Sequence, residues 1–490
     1  MKKFKKVWLA VFLMLFVLGA CTPSDSDEGV DENGYEVNEN GYDEEDLAEF
    51  GPRGLPLIYL TTEARDIVLE DFDYLAEIML TNAPQQGIFE RRFGLSLEEV
   101  LVFLRDEIYY MVPIESVHFL LMDEDWPTDT SGVASADEPR YLAAQYLSSF
   151  LMWFAIDVEG LGHFGPQDIR SYWEVLEANA AMLHQTEEID GQFMFDGEEI
   201  SDIRGLENMV EVFSSESTLW FFGIEFDDLD LYRSLDDIGF REEGNITTEI
   251  IEEGRIAYFH IDSFMNNPSY DSETLIPFFE EVQDFDHLII DLRGNGGGWG
   301  HYFADYVASM LIEEPLTASF NEFITSGDEA MRLAEYSLSG SARGVANEYG
   351  ILPAYEFVSN NDLPYFNRAD LAILEYVVQW ELEIEPHEDR VPFDGEIWIL
   401  VDDWSASASE LAAMIAIDSG WATVVGEPTA GVTPAMAMHV SLPHTGVLFR
   451  IDIGYLIDGE GRSLEEFGVT PDIVIGPRDD ALFTVLDLIQ

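Results

Sequence analysis

Twice in this chain an apolar run with the composition of a buried strand breaks into a turn of very small residues and then resumes as a helix. The first instance is "HLIIDLRGNGGG" followed by "HYFADYVASMLI"; the second is "GEIWILVDDWSASASELAAM". A short continuous apolar run bounded by small turn residues and followed by helical periodicity reads as a strand buried on both faces and joined to a helix. "GRIAYFHIDSF", "SETLIPFFEEVQ" and "ATVVGEPTAG" extend the alternation. The pattern predicts a parallel α/β layer from about residue 250. Residues 315 to 390 read as a long insertion, and "AMHVSLPHTGVLFRIDIGY" as a hairpin or meander near the end.

Upstream the period changes. In "TEARDIVLEDFDYLAEIML", Ile67, Val68, Phe72, Leu75, Ile78 and Met79 fall on one helical face. "SLEEVLVFLRDEIYYM" opens with Ser96 as N-cap and Glu99 three residues on, a capping-box pattern. "PRYLAAQYLSSFLMWFAI" predicts a third, more buried helix. The expected organisation is therefore a leader over 1–20, an acidic tether over 21–54, and a mostly helical N-terminal domain over 55–165. An intermediate region over 166–248, without a clear PDZ-type "GLGF" loop, then leads to the α/β core over 249–490.

The leader reading rests on "MKKFKK" followed by "VWLAVFLMLFVLGAC". A basic segment precedes an apolar one too short to span a bilayer comfortably. "LGAC" resembles a bacterial lipobox, with Cys21, the only cysteine, as the lipidated residue. The expectation is a lipid-anchored protein on the extracytoplasmic face, attached to the membrane by that anchor only. Residues 22 to 49 contain no basic side chain and repeat "ENGY". Such a stretch lacks the apolar surface to fold alone.

The formal net charge is −74, from 97 acidic and 23 basic residues. All four lysines (Lys2, Lys3, Lys5, Lys6) lie in the leader, and every later basic residue is arginine. Arginine keeps its charge in alkali where lysine starts to lose it. The composition therefore fits an alkaline or saline exterior and excludes nucleic acid as a partner. No HExxH is present and one cysteine cannot build a thiolate site, so no metal and no cofactor is expected.

"SASASE" poses the chemical question. Ser405 or Ser409 could cap the following helix, or the middle serine, Ser407, could be presented as a nucleophile beside the positive end of that helix. The turn "DLRGNGGG" would supply backbone N–H groups with no side chain to block them. A phosphate cradle is the alternative, but the lysine and threonine of a P-loop are missing.

"IIDLRGNGGG", "ILVDDWSASASELAA", "VVGEPTAG" and "EEFGVTPDIVI" stand in the order and spacing of the C-terminal processing (tail-specific) serine peptidases, including their tricorn-type branch. The resemblance covers about 250 to 476. It implies a crotonase-like or Clp-protease-like α/β core, a serine peptidase activity on protein or peptide substrates, and Ser407 as nucleophile. It further implies an oxyanion hole from Gly297 and Ala408, with Gly296 and Gly298 as alternatives to Gly297. The Ser–Lys dyad of the bacterial branch is excluded, because Val432 stands where its lysine would be and no lysine follows the leader. The tricorn-type branch takes its base from a histidine before the core. "EGLGHFGP" places His163 there, with His118 in "ESVHFLL" as competitor. Glu465 in "LEEFGVTPD" is then the implied orienting carboxylate, with Glu466 adjacent. The serine expected directly before the histidine is Gly162, which leaves the relay one hydroxyl short. A catalytically inactive ligand- or peptide-binding lipoprotein on the same fold is the alternative function.

Overall fold

The computed structural model describes residues 60–110, 139–157, 162–166, 244–338, 350–476 and 478–490, with short strands inside 29–37 and 186–199. The leader, Cys21, most of the acidic segment and His118 lie outside the described residues. Within the acidic segment, Gly29–Val30 pairs with Glu36–Val37.

Four helices open the described chain: α1 (Thr62–Asn82), α2 (Gln86–Phe93), α3 (Leu97–Tyr110) and α4 (Pro139–Asp157). Their ends obey capping chemistry. Thr61 Oγ1 accepts from Ala64 N–H at 3.1 Å. Ser96 and Glu99 cap each other reciprocally, at 2.8 and 3.1 Å. The short strand β1 (Gly165–Pro166) follows.

The α/β part then runs β2 (Ile246–Glu252), β3 (Ile256–Ile261), α5 (Pro268–Val282), β4 (His287–Asp291), β5 (Leu316–Ile324), β6 (Ile351–Pro353), β7 (Tyr376–Ile384), β8 (Glu396–Val401) and α6 (Ala408–Ser419). It closes with β9 (Thr423–Gly426), β10 (Ala437–Ser441), β11 (Leu448–Asp452), β12 (Tyr455–Ile457) and β13 (Ile473–Val474). Strands β13-β9-β8-β4-β3-β2 form a six-stranded sheet, parallel throughout except for the antiparallel β2–β3 edge. Its central strands are apolar on both faces because helices cover both. In α6, Ala412, Ala413 and Ala416 are fully buried, so this helix packs on small side chains.

The stretch read as an insertion is itself a sheet. β5 pairs antiparallel with β7 over nine residues, flanked by β6 and β12. Its alternation was masked because strand and helix segments interleave within it. The hairpin expected near the end is β10–β11, and β1 adds a third strand to it.

The N-terminal helices do not bury a core of their own among the described residues. Phe72 and Leu75 of α1, Leu101 of α3 and Leu147 and Leu151 of α4 pack in one cluster with Met438, Val440, Phe449 and Ile451 of β10 and β11. A buried carboxylate rivets the two parts together. Asp71 on α1 accepts from the N–H groups of His444 and Thr445 and from Thr445 Oγ1, at 2.8, 2.9 and 2.6 Å. Those donors form the β10–β11 turn, so α1 holds the hairpin whose second strand ends at Asp452.

Candidate active site

β8 and β4 lie side by side and parallel, and both small-residue turns leave from their C-terminal ends. In an open α/β sheet such neighbouring strand ends form the natural crevice for a ligand. Ser405 stitches them: its hydroxyl donates to the Leu292 carbonyl at 2.8 Å and accepts from Asp402 N–H at 3.1 Å. Ser405 and Ser409 are both fully buried, and neither caps α6. The N-cap position is Ser407, and Glu410 reaches back to it.

Ser407 has φ 56° and ψ −116°, the sole non-glycine positive φ among the described residues. A non-glycine residue held there stores backbone strain that its surroundings must impose. Glu410 is the main constraint. Its buried carboxylate accepts from Ser407, Gly431 and Val432 N–H at 3.0, 2.9 and 3.0 Å, and from Thr429 Oγ1 at 2.5 Å. Burial pushes the Glu410 pKa up to about 6, against the pull of these donors. Val432 also offers its carbonyl to Ser407 N–H at 2.8 Å. The position that lacks a lysine therefore supports the turn through its backbone.

His163 reaches this serine from far upstream in the chain. β1 pairs with β11 so that Gly165 faces Arg450 and Pro166 faces Phe449. Continuing that register two residues brings His163 opposite Asp452. Phe164 pins the crossing, edge-on to Phe154 at 5.5 Å and tilted on Phe449 at 5.9 Å. His163 Nε2 lies 2.9 Å from Ser407 Oγ, and Nδ1 lies 3.0 Å from Asp452 Oδ2. The same carboxylate oxygen accepts the His163 backbone N–H at 2.7 Å, and Arg450 holds the other oxygen at 3.0 Å. Burial opposes a charge on Asp452, but Arg450 and His163 hold its pKa below the usual carboxylate range.

The carboxylate on His163 is thus Asp452, where the family resemblance implied Glu465. Glu465 is buried and turned to Thr433 Oγ1 and Ser463 Oγ, and burial raises its pKa to about 8. Glu466 instead binds Arg91 at 2.6 Å. Asp452 carried no local motif. The available signal was the absence of a side chain at Gly162 together with a charged residue inside the apolar alternation "VLFRIDIGY".

Gly297 also departs from expectation. Its N–H donates to the buried Asn295 Oδ1 at 2.9 Å, which removes it as an oxyanion donor. Gly297 supplies space instead: a Cβ there would lie 2.7 Å from Ser407 Cβ and 2.9 Å from Ala408 N. The next peptide gives its carbonyl to Phe264 N–H at 3.0 Å. Since a trans peptide points its N–H opposite to its C=O, the Gly298 N–H faces away from Phe264. Ala408 lies in the first turn of α6, where an N–H has no intrahelical acceptor. No group of three or more potential metal ligands occurs among the described residues.

Residues 255–475 match the model of peptidase family S41. A curated protein of Chlamydia pneumoniae is 23% identical over 212 residues, which is 40% of this chain. The chain spans about a third of that relative's length, 34%. Among solved structures, mature CPAF is 14% identical with a TM-score of 0.43, over 84% of this chain and 93% of that one. The photosystem II D1 C-terminal processing protease is 13% identical with a TM-score of 0.34, over 86% and 94%.

Proposed function

Because residues 255–475 match the model of peptidase family S41, we propose that the chain is a serine peptidase that hydrolyses protein or peptide substrates through Ser407, His163 and Asp452. The observation that carries this reading is the unbroken chain of contacts Ser407 Oγ to His163 Nε2 at 2.9 Å and His163 Nδ1 to Asp452 Oδ2 at 3.0 Å. Ser407 Oγ attacks the scissile carbonyl while His163 Nε2 takes its proton. Asp452 keeps the proton of the neutral imidazole on Nδ1, leaving Nε2 free to accept, and then stabilises the imidazolium. The N–H groups of Gly298 and Ala408 receive the oxyanion. His163 returns the proton to the leaving amine, and water releases the acyl group by the reverse sequence. The relay needs no serine before the histidine, because a carboxylate reaches the imidazole directly.

The leader and "LGAC" further support attachment at Cys21 and a site of action on the extracytoplasmic face of the membrane, with the acidic segment as spacer.

A fluorophosphonate probe tests the mechanism. The expected adduct maps to Ser407, is lost in Ser407→Ala, and persists in Ser405→Thr. Absence of labelling in the folded wild-type protein, with peptidase activity unchanged in Ser407→Ala, would overturn the assignment. The inactive binding-lipoprotein reading would then take its place.

A further inference from the structure

Met265 and Trp299 are about half exposed, at 48% and 50%, in a part of the chain where neighbouring apolar residues are buried. Trp299 directly follows Gly298, so its Cα lies about 3.8 Å from that of the proposed oxyanion donor. Met265 reaches the same place from the β3–α5 loop. Phe264 pairs with Gly298, accepting from Trp299 N–H at 3.0 Å, and a Cβ on Gly298 would lie 2.4 Å from Met265 N. The Trp299 indole N–H closes the unit by donating to the Met265 carbonyl at 3.4 Å.

The unit is built rigidly. Asp271 on α5 accepts from Asn266, Asn245 and Tyr302 at 2.7, 2.8 and 2.6 Å, all buried. Phe264 stacks on Tyr302 with ring centroids 4.8 Å apart. Such a framework fixes a loop backbone. Here it presents one thioether and one indole to solvent, beside the glycine turn that touches Ser407. Arg293, at the start of that turn, is occupied by Asp291 and Asp480 at 2.6 and 3.1 Å, so it offers no counter-charge to an acidic side chain.

The geometry points to Met265 and Trp299 as the subsite for the side chain of the residue whose carbonyl Ser407 attacks, and to a large apolar or aromatic side chain as its occupant. This inference rests on the peptidase reading above, in which Gly298, the residue directly before Trp299, receives the oxyanion of the attacked carbonyl. An indole and a thioether are soft, polarisable surfaces suited to aromatic and long aliphatic groups. An acidic residue there would meet an apolar floor and a chain of net charge −74.

The test is a set of fluorogenic peptides differing only in that residue: Phe, Leu, Ala, Arg and Asp. The wild-type protein is expected to prefer Phe and Leu over Ala in kcat/KM by roughly 10- to 200-fold, the range a hydrophobic pocket provides. Asp is expected to be the poorest. Trp299→Ala and Met265→Ala should each collapse the Phe-to-Ala ratio at least about fivefold, and Trp299→Leu should restore most of the Leu preference. Tyr110→Ala, at an exposed aromatic on α3, should leave the ratio unchanged. Equal loss on every peptide in Trp299→Ala, an unchanged ratio, or a wild-type preference for Arg or Asp would overturn the subsite. Probe labelling at Ser407 in the same samples separates that outcome from failure of the peptidase reading, in which no sample labels.

Discussion

Gly162 and Asp452 occupy one volume: a Cβ on residue 162 would lie 2.4 Å from Asp452 Oδ2, the oxygen that holds His163. The missing side chain before the histidine is therefore the space into which the orienting carboxylate fits. Gly162 also has φ 65°, a conformation that costs a residue with a Cβ about 1–2 kcal/mol.

Gly162→Ala is accordingly expected to displace Asp452 and to lower kcat by roughly a hundredfold, the cost of a misplacement of about 1 Å. The global fold, read by circular dichroism, should persist. Steady-state kinetics check it, and kcat within threefold of wild type would refute the steric argument.

Asp452→Asn should lower kcat by about 10⁴-fold, the scale seen when a triad aspartate becomes an amide. Glu465→Gln should change kcat less than about tenfold, under 1.4 kcal/mol of barrier. If the Glu465 variant is the crippled one, the orienting role belongs to Glu465.

Glu465 should instead be visible in stability. Its folded pKa of about 8 lies above its unfolded value. The buried acid therefore keeps its proton while the unfolded chain loses it. Its contribution to stability is fully present below the unfolded carboxylate pKa, falls as pH rises, and levels off above about pH 8. Melting curves of wild type and Glu465→Gln between pH 4 and 9 should diverge in that window, with the variant gaining relative to wild type as pH rises. Parallel curves would show that Glu465 is ionised in the fold.

Glu410→Ala should strip the acceptor from the Gly431 and Val432 N–H groups and from the Thr429 hydroxyl, while Ser407 N–H keeps the Val432 carbonyl, at about 1–3 kcal/mol for each group left unsatisfied. Urea unfolding should show a loss of at least about 3 kcal/mol, and fluorophosphonate labelling of the folded fraction should slow, because Ser407 loses the contact that holds its backbone at positive φ. Labelling at the wild-type rate would mean that Glu410 supports the fold alone.

Charge and anchoring give the last expectation. Self-repulsion among 97 acidic side chains is screened by salt, whose Debye length falls from about 30 Å at 0.01 M to about 3 Å at 1 M. The melting temperature should rise over that range; a flat or falling trend would remove the saline reading. Cys21→Ala should abolish lipid attachment and release the protein from the membrane fraction. Normal processing and partitioning of that variant would end the lipobox reading.

Much of this protein is legible in its sequence because the relevant physics is local. The strands ending in "DLRGNGGG" and "DDWSASASE" declare themselves by apolar composition and small turn residues. The Ser96–Glu99 cap is set by four consecutive positions. Ser407 and His163 stand out by their immediate neighbours, and the absence of lysine after Lys6 leaves none near the serine in sequence to act as its base. What tertiary structure alone decided is which groups those residues meet. Asp452 is 289 positions from His163 and reaches it through the register of a two-residue strand, β1, on β11. No periodicity encodes that pairing. Gly297 and Gly298 are neighbours in one glycine run, and only the hydrogen bonds made with Asn295 and Phe264 separate the N–H that is taken up within the turn from the one that faces away from Phe264. A motif names the chemistry a residue is able to do; the packing of distant segments determines the partner with which it does it.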